Sequence, residues 1–510
     1  MQLESSPERR GQAGIRPALL SILIAGLLIT SVAAATDDAP PIDLDSFLAA
    51  VRSTHPLFPA EDLAPRIESA RREELGSARD WRLGARGGWT YREPISTSTF
   101  APRWTEVFDL NSSVERAVWS TGGRFAVDWT SRWTEQQLPS IEVPSPQGVQ
   151  SIETGAGTLF RTGLSLRFSQ PLLRNRGGTL DRLEYDVAEY GIDAAGLQAR
   201  ERQEAFLLEL GSMFVGWAQW HRLRDVSADR VDVAEEQLDL VRDLRESNLV
   251  DRVDVLRAEE SLAAARRGLS TVEAELRGQR AALAELAQIE DLTRRAPSIA
   301  LTDTVALDDL QTVLAELRGR ARRLQVVDQR RRAVQLRRDG AAESEDPTLD
   351  LDLDVGIAGG DRDSYGSAWA LDSPDVGAAL VFRQQLGAGR AEAAREQADL
   401  ELRRLDHRRQ QTELDLRSQV ARQRARLGGL ADALALHERQ VEIAERKAAA
   451  ERDLYREGRN PLTFVLQAQD AEQAAREAWI RTGAQYRRAL LAYRAVIDRL
   501  LDEPSHGDGS

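Results

Sequence analysis

Five histidines, His55, His221, His407, His437 and His506, are the residues best suited to acid–base or metal chemistry, and they are scattered. None stands at ligand spacing with a partner, and the chain has no cysteine. His437 falls on an apolar helical seam, where a packed or hydrogen-bonded imidazole is the plainer role. Gly387-Ala388-Gly389-Arg390 has the look of a phosphate loop but lacks the remaining glycine and the lysine, so it reads as a turn. Asp350, Asp352 and Asp354 alternate with Leu349, Leu351 and Leu353. A calcium loop would need a helix on each side, with a glycine and a terminal glutamate at set positions. On a strand, period two puts the three carboxylates on one face, which suits a solvated lumen. The sequence therefore predicts no enzyme, no cofactor and no metal site.

The aspartate ladder belongs to a set of period-two runs. Trp81, Leu83, Ala85, Gly87, Trp89 and Tyr91 share one face, with Arg82, Arg86, Thr90 and Arg92 on the other. Phe125, Val127, Trp129 and Trp133 alternate with Arg124, Asp128, Thr130 and Arg132. Phe160, Leu164, Leu166 and Phe168 alternate with Arg161, Ser165 and Arg167, and Val376, Ala378, Leu380 and Phe382 make a further strand face. Each run has about the length of a transmembrane β-strand, with apolar residues out and charged residues in. That pattern places Asp350, Asp352, Asp354, Arg82, Arg86, Arg161 and Arg167 in a barrel lumen. Residues 107–119 alternate more weakly and, with Thr121-Gly122-Gly123 as a turn, form a possible extra hairpin with 124–134. Residues 136–157, rich in Pro, Gly, Ser and Gln, suit a long extracellular loop.

The rest reads as helix. Residues 43–79 are helical with an interruption from Pro56 to Pro65, and 172–246 and 388–456 are long helices. Leu427, Leu430, Leu434, His437, Val441, Ala444 and Ala448 form a heptad seam. The long helices stop at Ser247–Asp251 and Glu457–Pro461, and shorter helices return over 252–290 and 462–501.

The two halves repeat. Asp243-Leu244-Arg245-Glu246-Ser247-Asn248 and Val255-Leu256-Arg257-Ala258-Glu259 recur 210 residues on, as Asp453-Leu454-Tyr455-Arg456-Glu457-Gly458 and Val465-Leu466-Gln467-Ala468-Gln469. Phe168-Ser169-Gln170-Pro171-Leu172 recurs as Phe382-Arg383-Gln384-Gln385-Leu386 at an offset of 214. Such a unit is far longer than a solenoid repeat. The expected organisation is a signal peptide over 1–35, structural repeats over 36–290 and 291–501, and a disordered tail over 502–510.

Export follows from the N-terminus. Arg9, Arg10 and Arg16 precede an apolar run from Pro17 to Val32 and the small residues Ala33-Ala34-Ala35, so cleavage is expected after Ala35. No later run reaches the ~18 apolar residues of a membrane helix. The formal charge is −14, and residues 1–35 carry three Arg and two Glu, so their removal leaves about −15. That balance argues against a nucleic-acid binder. Four strands, or six with the extra hairpin, cannot close a barrel alone, and lipid does not tolerate open sheet edges. A ring of identical chains sharing one barrel satisfies both constraints. The expected fold class is mainly α with a transmembrane β-barrel: internally duplicated, its long hairpins forming a periplasmic α-barrel and its strands joining a shared trimeric β-barrel.

These motifs resemble those of the outer-membrane efflux proteins, the TolC-like channels. The resemblance rests on Ser169-Gln170-Pro171-Leu172-Leu173-Arg174-Asn175-Arg176-Gly177 at the strand-to-helix junction and on Asp254-Val255-Leu256-Arg257-Ala258-Glu259 after the first break. It rests also on Tyr455-Arg456-Glu457-Gly458 through Val465-Leu466-Gln467-Ala468-Gln469 at the second, and it spans about residues 42 to 501. It implies a homotrimer in outer-membrane lipid, extending into the periplasm. The implied role is passive export for a tripartite efflux or type I secretion system, driven by an inner-membrane pump. A periplasmic adaptor would dock at the helical tips, here Asn248, Leu249, Val250, Gly458, Arg459 and Asn460. Family members often carry gate aspartates six and nine positions beyond the second glycine; those positions here are Phe464 and Gln467. The first-half equivalent of Phe464 is Asp254, so the gate carboxylate carries over there only. Phe464 either gates by dewetting or packs inside the helix pair. The rival reading is a periplasmic coiled-coil adaptor or structural protein without a membrane barrel.

Overall fold

The computed structural model describes residues 40–95, 101–139, 141–146, 148–152, 156–387 and 389–501. The expected signal over 1–35, its cleavage site, Ala388 of the glycine-rich turn and the tail 502–510 lie outside the described residues.

A short strand β1 (Ile42–Asp43) leads into helices α1 (Leu44–Thr54) and α2 (Leu57–Gly76). Strands β2 (Arg82–Arg92), β3 (Trp104–Val118) and β4 (Gly123–Gln137) follow, then a small hairpin, β5 (Ile141–Ser145) and β6 (Gly148–Ile152), and strand β7 (Ala156–Pro171). Helices α3 (Thr179–Glu246) and α4 (Arg252–Ala287) complete the first half. Strand β8 (Pro297–Ser298) pairs in parallel with β1. Helices α5 (Leu310–Arg320) and α6 (Arg322–Glu343), strands β9 (Thr348–Asp361) and β10 (Ser373–Arg383), and helices α7 (Gly389–Arg456) and α8 (Leu462–Val496) then repeat the order. The match extends to length: α3 and α7 each have 68 residues, and α4 and α8 have 36 and 35. At ~1.5 Å per residue each long helix runs about 100 Å. Among the described residues no helix is long and apolar enough to cross a membrane.

Three expectations need correction. Pro65 lies inside α2 and does not interrupt it; the break is at His55–Pro56. An interior proline costs one helical hydrogen bond, and α2 offsets this by packing along α3, where Arg72 pairs with Glu189 at 2.8 Å. The first long helix begins at Thr179 rather than at 172. Asn175, Gly177 and Gly178 take φ of 65°, 82° and 71°, left-handed values that a helix cannot continue through. The segment 136–157 is not one loop: β4 runs to Gln137, β7 starts at Ala156, and β5–β6 fills much of the interval.

Six strands form one antiparallel sheet in the order β10-β9-β7-β4-β3-β2. The extra hairpin, β3–β4, is therefore part of the sheet, inserted between β2 and β7. Its 15-residue strands are longer than the weak alternation indicated. Apolar cores lie among the helices. Phe47 meets Phe214 at a tilt, 5.0 Å between ring centres, and Phe214 meets Trp217 edge-on at 5.4 Å where α1 covers α3. Leu317, Leu416, Val420, Tyr486 and Tyr493 form a second core around α5, α7 and α8. The heptad seam is visible in the burial of Leu427, Leu434, Val441 and Ala448, seven residues apart.

Candidate functional site

Register sorts the sheet into two chemically different faces. Trp89 lies opposite Phe108, Phe108 opposite Trp133 and Trp133 opposite Phe160. Lower in the sheet, Leu83, Val114, Val127, Leu166, Val355 and Val376 stand in one row across all six strands. Near the helices this face is open, with Leu83 79 % exposed and Val376 74 %; farther up the β9–β10 loop lies on it, Trp369 stacked on Trp129 at 6.0 Å and Tyr365 bonded to Ser131 at 2.6 Å. The other face carries Arg82, Arg86, Arg161, Arg167, Asp350, Asp352 and Asp354, as the alternation predicts. Arg167 bonds Asp128 at 2.7 Å and stands opposite Asp354 in register. Arg383 reaches Asp350 at 3.1 Å, and Arg82 reaches Glu115 at 3.9 Å. Arg86 stands opposite Asn111.

The two helical tips are copies of one turn. Leu249 N donates to Leu244 O and Arg459 N to Leu454 O, both at 2.9 Å. Asn248 and Gly458 supply the left-handed residue, with φ of 58° and 70°. Asp254 N donates to Asp251 O and Phe464 N to Pro461 O, both at 3.1 Å, so Asp254 and Phe464 occupy equivalent positions. Their side chains differ in fate. The Asp254 carboxylate accepts from Arg257 at 3.0 Å and its side chain is only 21 % exposed. Phe464 is 49 % exposed. It does not pack inside the helix pair; Leu462 and Val465 fill that place beside Tyr455. Gln467, one turn on, is exposed too. Burial, and then the charge of Asp254, push the Tyr455 phenol up to about 12. Leu249 projects outward, Val250 packs on the tip cluster, Arg459 pairs with Glu457 at 3.1 Å, and the Asn460 amide bonds Glu451.

No family model matches the sequence, and no curated protein matches it either. Solved structures do match in shape. CusC, whose structures describe folding and transmembrane channel formation, superposes with a TM-score of 0.64 at 12 % identity, covering 89 % of this chain and 91 % of that one. The outer-membrane channel OprN gives 0.61 at 17 %, covering 89 % of each chain. The outer membrane protein VceC from Vibrio cholerae gives 0.60 at 14 %, covering 89 % of this chain and 95 % of that one. The chain has the fold of these outer-membrane channels. It is the fold that the TolC-like resemblance implies.

Within that fold lies an ionic cluster that only folding assembles. Arg322, at the start of α6, is 4 % exposed and Glu204 on α3 is 3 % exposed. The Arg322 guanidinium bonds Glu201 at 3.0 Å, contacts Glu204 and lies 3.4 Å from Asp498, just past α8. The Arg322 backbone N donates to Asp498 at 2.8 Å, and Glu204 accepts from Leu500 N at 2.9 Å. The three carboxylates offer oxygens within 4.8 Å of one another, a spacing a metal could use. Arg322 already fills the position between them, so the cluster is a structural clasp. It joins α3, α6 and the end of α8. Burial raises the Asp498 carboxyl to about 6, against the pull of Arg322. A hint was available in principle, since Glu201 and Glu204 sit one turn apart on α3. Arg322 lies 121 positions beyond Glu201, and Asp498 a further 176 beyond Arg322.

Proposed function

We propose that this chain is the outer-membrane conduit of a tripartite efflux or type I secretion system. Three copies close their sheets into one barrel through the outer membrane, and their helical hairpins continue the passage into the periplasm. Export through it is passive. An inner-membrane pump supplies the energy, and a periplasmic adaptor docks at the tips around Asn248–Val250 and Gly458–Asn460.

One observation carries this reading: a single sheet with an apolar face that is open near the helices and a charged opposite face, feeding hairpins about 100 Å long. A protein confined to the periplasm would leave that apolar face in water, which soluble proteins avoid. The charged face lines the lumen. Replacing Asp350, Asp352 and Asp354 together by Asn is expected to lower cation preference by several-fold while trimers still assemble. Assembly lost, with selectivity unchanged in any surviving channel, would mean the faces are reversed.

The tips form the gate. Each contributes Asp254, Phe464 and Gln467, and the exposure of Phe464 and Gln467 leaves them open to a threefold constriction. Arg257 offsets the Asp254 charge, so the closure has an apolar share from Phe464. Phe464→Ala is expected to raise resting conductance in planar bilayers about two-fold or more. Asp254→Ala leaves Arg257 without its partner and is expected to weaken cation preference. Parent-like conductance in both variants would remove these residues from the gate. The role itself is tested by sedimentation in detergent and bilayer recording of the purified chain. A folded monomer that never conducts would end the proposal.

A further inference from the structure

The repeated half supplies two strands: β2 and β7 in the first, β9 and β10 in the second. The hairpin β3–β4 is an insertion in the first half alone. It pairs along its length with β2 on one side and β7 on the other. Its turn is tied to the base of the long helix: Thr121 O accepts from Gly177 N at 3.1 Å and from the Gln170 side chain at 2.7 Å. Trp119 meets Tyr185 edge-on at 5.4 Å. The hairpin is wall, and its apolar and polar faces continue those of its neighbours.

The two edges of the sheet fit each other. Strands β2 and β10 each have 11 residues. They run in opposite directions relative to the helices, so edges of adjacent copies meet antiparallel. The lumen face of β2 carries Arg82, Arg86 and Arg92. Counted over two strands at each edge, the lumen faces of β9 and β10 carry Asp350, Asp352, Asp354 and Asp375 against Arg383, a net three negative charges, and those of β2 and β3 carry the three arginines against Asp109 and Glu115, a net one positive. The Asp354 carboxylate lies across Gly377 of β10, where any Cβ would overlap it. Glycine on the edge strand lets that charge lean toward the seam.

We propose that the edge β2 of one copy pairs with β10 of the next, so that three copies close an eighteen-stranded barrel with a bore about half as wide again as the duplicated strands alone would give. The inference rests on the trimeric channel proposed above. Strands ~4.8 Å apart and tilted ~40° each take about 6 Å of circumference. Eighteen then span about 36 Å between backbones, and twelve about 24 Å. Width also matches the helices below. Next to the sheet, α2, α3, α6 and α7 lie side by side and at ~10 Å spacing take about 40 Å of circumference per copy. Six strands take about 38 Å and four only about 25 Å. The wide, charge-lined bore suits hydrated cargo too bulky for a twelve-stranded wall.

The chain has no cysteine, which makes disulfide mapping direct. Thr130→Cys with Gly163→Cys joins register partners on β4 and β7. Ala379→Cys combined in turn with Gly84→Cys, Gly88→Cys and Thr90→Cys probes the seam. Poly(ethylene glycol) is added on the barrel side of a planar bilayer, so that polymer entering the barrel lowers conductance even where the tips exclude it. The expected results are a 130–163 disulfide within each chain, a disulfide-linked trimer from one seam pair, and a polymer cut-off about 1.5-fold wider than twelve strands allow. Conducting trimers with the narrow cut-off, or without the 130–163 bond, overturn this inference and leave the channel standing. Chains that neither trimerise nor conduct overturn the channel itself.

Discussion

Arg322→Ala is expected to cost about 3–5 kcal/mol, because it strips the cation from a buried cluster of carboxylates. Glu204 is almost wholly enclosed and its other oxygen already binds the Leu500 and Leu501 backbone N–H groups. With the guanidinium gone, the enclosed Glu204 charge has no cation against it, and α6 loses its tie from Arg322 to α3 and to the end of α8. The midpoint of urea denaturation in detergent measures the loss. Adding Glu204→Gln to Arg322→Ala should recover part of it, since one buried charge then disappears. The pH dependence has a defined sign. The Asp498 carboxyl titrates near 6 in the folded chain and at about 3.8 when unfolded. Between those values the folded state holds the extra proton, so this group adds stability as pH falls from 7 toward 4. Asp498→Asn should flatten that slope. An Arg322→Ala protein as stable as the parent would show that the cluster carries no stability.

Gly178→Ala is expected to give the second large effect. Its φ is +71°, which costs an L-residue roughly 1–2 kcal/mol. A Cβ there would also overlap the backbone carbonyl of Trp119, which has no side-chain freedom with which to yield. The turn that anchors β3–β4 must therefore part from the junction. We expect a total loss of about 3 kcal/mol or more, with proteolysis appearing at 119–122. Gly177→Ala is the control: its φ is +82° but no atom lies within 4 Å of a Cβ there. It should lose only the backbone share and keep the hairpin protected. Equal effects at both glycines would show that strain alone acts, without the contact to Trp119.

The same junction shows where sequence reading was sound and where it stopped. Ser169 through Gly177 was recognisable as a strand-to-helix junction. The sequence puts the helix start at 172, seven residues early, because nothing in the residue type of Asn175 marks it as a cap. In the fold its Oδ1 accepts from Leu180 N at 2.9 Å and caps α3. At the tips, the repeat located both turns and paired Asp254 with Phe464. It could not tell that Arg257 would offset the one charge, nor that Phe464 would stay outside the helix pair.

What the sequence determined by itself was periodic and local. Alternation assigned every residue of the aspartate ladder and the arginine rows to one face, since a strand's period of two leaves no other choice. Steps of three and four drew the seam through Leu427, Leu434, Val441 and Ala448. Duplication implied two equivalent hairpins, and the equal lengths of α3 and α7 agree. Tertiary structure decided what depends on partners distant in the chain. The insertion of β3–β4 between β2 and β7 is one such decision, because weak alternation does not say which edge a hairpin joins. The clasp of Arg322 with Glu201, Glu204 and Asp498 is another: charged residues read as solvated until folding encloses them, and only packing brings these four together.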